Sequence, residues 1–145
     1  MRLFTDNKGR EWSLSINVAS GNRIKAHADV DLLQDIADGG RLLVELSDNP
    51  FKLAAVLWAV CEPQATAKNI EPEDFAEGIA GDCILAASER LIDEIIDFFP
   101  SPRREPMQKM WAKVREAAGI QTAKVLRQIE AIDVTKALDG IDSAS

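Results

Sequence analysis

Few side chains in this 145-residue chain have the type and spacing to do chemistry. Its one histidine, His27, stands in Lys25-Ala26-His27-Ala28-Asp29. A histidine needs a base, an acid or a second ligand to act, and no other histidine can pair with it on a metal, so it reads as a surface residue near a helix end. Cys61 and Cys83 are not in a C-x-x-C arrangement. Both sit in apolar helical stretches and read as buried thiols of a reducing compartment; their spacing leaves a disulfide open. The carboxylates fall in groups at helical spacing: Glu73, Asp74 and Glu77, then Glu89 with Asp93, then Glu94 with Asp97. Such groups do acid–base or magnesium chemistry when they are buried and converge. Here they fall on the polar sides of amphipathic helices, where solvent is the expected neighbour. No glycine-rich phosphate loop and no nucleophile elbow is present. The expectation is no catalytic residue, no metal and no cofactor.

Binding is the alternative to catalysis, and charge is its first indicator. The chain carries a net charge of −7, which disfavours nucleic acid on average. Residues 71–99 hold nine acids and one base, whereas residues 101–132 hold seven bases and three acids. Opposite charge on successive helices predicts pairing inside the molecule, or head-to-tail contact between copies. Arg103, Arg104, Lys109 and Lys113 form a modest basic patch without the interleaved aromatics of a nucleic-acid site. Met107, Met110 and Trp111 suit either a core or an adaptable docking surface. An apolar stripe continues past them through Val125, Leu126, Ile129 and Ile132. A stripe of this kind must be covered by the domain, another copy or a partner. Trp111, Val125, Leu126 and Ile129 are therefore the candidate protein-binding residues.

The elements that would position these groups are mostly helical. Trp12, Leu14, Ile16 and Val18 alternate with Ser13, Ser15 and Asn17, predicting a β-hairpin over about residues 2–18 turned at Asp6-Asn7-Lys8-Gly9. A hairpin alone is marginal and must rest on helices. Asp29-Val30-Asp31 predicts a turn and a cap, and Gly39-Gly40 a break. Asn49-Pro50 opens a central buried helix containing Phe51, Leu53, Val56, Leu57, Trp58, Val60 and Cys61, expected to end near Glu62-Pro63, with an added turn of helix over residues 64–68 as the alternative. Glu71-Pro72 starts a short acidic helix, and Asp82 is expected to cap a long one with the stripe Ile84, Ser88, Leu91, Ile95 and Phe98/Phe99. That helix breaks at Pro100-Ser101-Pro102, and a long C-terminal helix follows. The predicted fold is mostly α (α+β): one domain over residues 1–138, its N-terminal hairpin packed on a bundle of about six helices. Residues 139–145 are expected to be a loose tail. The N-terminus lacks a basic-then-apolar leader, and no apolar run approaches the roughly 18 residues of a membrane span. The cytoplasm is thus the expected location.

Three stretches carry a family likeness. They are Phe4-Thr5-Asp6-x-x-Gly9-Arg10-x-Trp12 with Asp31-Leu32-Leu33; Cys61-Glu62-Pro63-Gln64 with Ile70-x-x-Glu73-Asp74-Phe75-x-Glu77-Gly78; and Asp97-Phe98-Phe99-Pro100-x-Pro102-Arg103-Arg104. Together they resemble the tail assembly chaperones of long-tailed bacteriophages and prophages. The resemblance implies a non-enzymatic protein of the bacterial host cytoplasm that binds the tape-measure protein, helps recruit tail-tube subunits and self-associates. The competing expectations are a structural or connector protein kept in the particle, and a metal-dependent enzyme built on Glu73, Asp74 and Glu77.

Overall fold

The computed structural model describes residues 1–37, 40–117 and 126–128. It is mostly helical with one N-terminal antiparallel hairpin, as the sequence predicts. The chain forms two compact units, Met1–Gln108 and Lys109–Ser145. In the first, β1 (Arg2–Thr5) pairs with β2 (Glu11–Leu14), and six helices follow. They are α1 (Val18–Ala28), α2 (Leu32–Ala37), α3 (Arg41–Asp48), α4 (Pro50–Ala67), α5 (Pro72–Glu77) and α6 (Asp82–Phe98). Residues 101–108 are helical at the end of this unit; residues 109–117 and 126–128 are helical in the second. The rest of the predicted C-terminal helix and the predicted loose tail lie outside the described residues. No helix among the described residues is long and apolar enough to cross a membrane.

Side-chain caps explain the starts of α1, α2 and α4. Asn49 accepts from the amides of Phe51 and Lys52, with Pro50 in the first turn of α4. Asp31 accepts from Leu33 and Gln34. Asn17 and Ser20 form a reciprocal capping box. That box ends the predicted alternation early: β2 stops at Leu14, and Val18 opens α1 with 70% of its surface exposed. At α6 the capping position belongs to Gly81, one residue before the predicted Asp82. Phe51, expected in the buried helix, is 84% exposed, because it lies in the first turn of α4 and the core begins at Leu53.

The structure takes α4 past the expected end near Glu62-Pro63 and through the alternative turn as far as Ala67, and the reason is chemical. A helix-interior proline cannot bond the carbonyl four residues back, which here is that of the fully buried Ala59. Arg23 of α1 supplies the missing donor: its Nε reaches the Ala59 carbonyl at 2.9 Å. Arg23→Leu should therefore cost about 1–3 kcal/mol, the penalty of a buried unsatisfied carbonyl. In a Pro63→Ala background the new backbone N–H takes over, so the same substitution should cost clearly less. Urea denaturation of the four variants measures the difference; equal costs in both backgrounds would refute the compensation.

Candidate functional site

Residues 6–12 and 74–78, parts of the first two likeness stretches, meet around one side chain. Asp6 closes the hairpin turn, with Gly9 in the left-handed region at φ 80° and its amide donating to the Asp6 carbonyl. The Asp6 carboxylate is 0% exposed and accepts four hydrogen bonds. Lys8 and Arg10 donate backbone N–H groups to Oδ1, both at 2.9 Å. Arg10 Nε and Trp12 Nε1 donate to Oδ2, at 2.8 and 2.9 Å. Burial pushes the Asp6 pKa up, but the bonds from Trp12, Arg10 and Lys8 outweigh it and hold this carboxyl below its ordinary value.

This turn is bolted to α5. Arg10 donates from Nη2 to the Asp74 carbonyl and from Nη1 to its carboxylate. Lys8 bridges Asp74 and Glu77, and the Asn7 amide donates to the Gly78 carbonyl at 2.8 Å. The hydrogen bond from Lys8 is the main reason Asp74 is held below the usual carboxylate range. Gly78 has an ordinary helical φ of −78°; it is glycine for lack of room. A Cβ there would lie 2.8 Å from both Arg10 Nη2 and Asp6 Oδ2.

These contacts correct two expectations. Asp74 and Glu77 have ammonium and guanidinium groups as neighbours as well as solvent. Among the described residues no three His, Cys, Asp or Glu side chains are placed to hold a metal ion. Glu94, expected on a wet face, is 7% exposed and binds Arg2 at 3.1 Å and the Met1 ammonium at 3.0 Å, while Arg2 also pairs with Asp97. The acids Asp74, Glu77, Glu94 and Asp97 thus find their cations in the N-terminal hairpin, at Arg2, Lys8 and Arg10. His27 Nε2 lies 2.9 Å from Glu62 and ties α1 to α4. Cys61 is buried as expected, and burial pushes its thiol up to about 12; Cys83, also expected to be buried, is half-buried because it lies in the first turn of α6.

Concavities lined by described residues open on this scaffold, two of them relevant to binding. The first lies between the starts of α1 and α2 and the end of α6, encloses about 240 Å³, and is lined by Val18, Leu32, Leu33 and Phe98 with Lys25 and Asp31 at its rim. Three of its apolar side chains face solvent: Val18 at 70%, Leu33 at 56% and Phe98 at 36%. The second encloses about 430 Å³ between β1 and α6. Of the residues expected to bind a partner, Trp111 is buried, and its indole N–H has no hydrogen-bond partner among the described residues. Leu126 is 54% exposed; Val125 and Ile129 lie outside the described residues. Val18, Leu33 and Phe98 were not foreseen as a binding surface.

No protein-family model matches this chain, and no curated protein or solved structure is detectably similar to it.

Proposed function

We propose that this chain is a non-enzymatic tail assembly chaperone that binds the tape-measure protein of a long-tailed phage or prophage. The observation that carries the reading is the convergence of Val18, Leu33 and Phe98, all solvent-facing, on one concavity beside Leu32. Apolar side chains grouped in this way on a monomer suit the capture of an apolar anchor from a partner helix. The family likeness supplies the client. Its residues also serve one end here: Asp6, Arg10, Trp12, Asp74 and Gly78 hold the hairpin and α5 together, and Phe98 lines the groove. The engagement of Asp74 and Glu77 by Lys8 and Arg10 favours a structural role for the acidic cluster over magnesium chemistry.

Co-expression with the tape-measure protein encoded nearby should give a soluble complex. Val18→Asp and Leu33→Asp should each weaken that complex about tenfold or more, the loss expected of a central apolar anchor. Both residues are exposed, so the melting temperature should stay near the parent's. The reading fails if no complex forms, if the gene lies outside any tail cluster, or if both variants bind as the parent does. Stoichiometric presence of the protein in mature particles would assign it instead to the permanent structure.

A further inference from the structure

The two edges of the hairpin are treated differently. On β2, three of the four outward backbone groups of Glu11 and Ser13 are occupied. Gln64 of α4 accepts from the Ser13 amide at 3.0 Å and donates to its carbonyl at 2.8 Å, and Lys68 Nζ donates to the Glu11 carbonyl at 3.0 Å. A side-chain amide here does the work of a third strand.

These bonds also define the ladder. Leu3 faces Ser13 and Thr5 faces Glu11. Because Ser13 and Glu11 direct their polar groups away from β1, these are the non-hydrogen-bonded pairs of the antiparallel ladder. The N–H and C=O groups of Leu3 and Thr5 therefore point outward on the other side. None of the four has a hydrogen-bond partner among the described residues. An edge in this state is a template for another strand.

The open edge borders the larger groove. Leu3, Thr5, Cys83 and Ala86 line it, with Asp82 and Arg90 as its charged members on α6. Arg2 reaches Glu94 and Asp97, whereas Asn7 approaches Gly81, so β1 and α6 run in opposite directions. Arg90 accordingly lies toward the Leu3 end and Asp82 toward the Asn7 end. Arg90 is exposed, and no anionic partner for it is present among the described residues. A strand edge beside a helix flank, with a guanidinium at one end, is the chemistry that captures an extended peptide bearing a carboxylate.

We propose that the groove between β1 and α6 binds an extended, acidic segment of a partner polypeptide. The segment adds as a strand to β1 through Leu3 and Thr5 and sets a carboxylate against Arg90. This surface is separate from the α1–α2–α6 concavity, and its fate does not depend on the tape-measure reading.

The test uses the full chain and a blocked, alternating Thr-Val hexapeptide ending in glutamate, compared with the same peptide ending in lysine. The glutamate peptide should bind saturably, slow hydrogen exchange at the Leu3 and Thr5 amides, and bind about tenfold more tightly than the lysine peptide. Thr5→Pro removes an outward N–H without touching the β1–β2 ladder, so it should abolish binding with the tryptophan near-UV spectrum unchanged. Arg90→Gln should erase the preference for glutamate, and it decides the matter should Thr5→Pro disturb the fold. Absence of binding, equal affinity for the two peptides in the parent, or unchanged binding in a folded Thr5→Pro variant overturns the proposal. So does a self-association of the parent that Thr5→Pro abolishes, which would assign the edge to a second copy.

Discussion

Asp6→Ala should destabilise the protein by about 3–5 kcal/mol, the cost of removing one partner of a buried, hydrogen-bonded ion pair. The substitution leaves two turn amides and the Trp12 indole N–H without acceptors, and Arg10 without its most buried contact. Against a typical total of about 5–15 kcal/mol, that is a large share. Asp6→Asn keeps the shape but turns an NH₂ group toward donors, so its cost should fall between parent and alanine. Urea denaturation followed by tryptophan fluorescence measures both. Acid provides a second readout. The Asp6 pKa is depressed in the folded state relative to about 3.9 in the unfolded chain. Its contribution is therefore complete above that unfolded value and is lost as pH falls through the lower folded one. The parent should lose stability below about pH 4 more steeply than Asp6→Asn. Parallel pH profiles for the two proteins would show that this carboxylate does not anchor the turn.

Phe75→Ala should cost a similar amount, about 3–5 kcal/mol, for a different reason. Phe75 is 1% exposed, meets Trp12 edge-on at 4.9 Å and lies 5.4 Å from Trp58. Its loss combines lost apolar burial with a cavity that the two tryptophans cannot close. The six residues of α5 are too few to form a helix independently, so its place depends on this anchor. Since α5 also carries Asp74 and is followed by Gly78, the hairpin should loosen with it. Hydrogen exchange at the Asn7 amide, which donates to the Gly78 carbonyl, should speed up alongside the global loss. Phe75→Leu should retain more than half of the lost stability. A cost under about 1 kcal/mol for Phe75→Ala would mean that the aromatic cluster does not hold α5.

The two substitutions bear on function through position. The hairpin and α5 locate the open edge of β1 opposite α6, and the hairpin leads into the capping box that exposes Val18. Neither Asp6 nor Phe75 needs to touch a partner for its loss to impair both surfaces.

What the sequence determined by itself is what short-range chemistry dictates. Asn49-Pro50 and Asp31 start helices because a side-chain acceptor or a preset φ acts within three residues. Asp6 through Gly9 turns because Gly9 tolerates positive φ. The stripe of Ser88, Leu91 and Ile95 is buried as its period requires. Tertiary structure alone decided which cations meet the acids: Arg2 finds Glu94 across 92 positions, and Lys8 finds Asp74 and Glu77 across 66 and 69. It also decided that α4 continues through Pro63, since the compensating donor, Arg23, lies on another helix. The open edge of β1 belongs to the same class. Whether a strand's outward amides are covered depends on side chains brought from distant helices, as Gln64 and Lys68 are to β2, and no local pattern in the chain encodes that arrival.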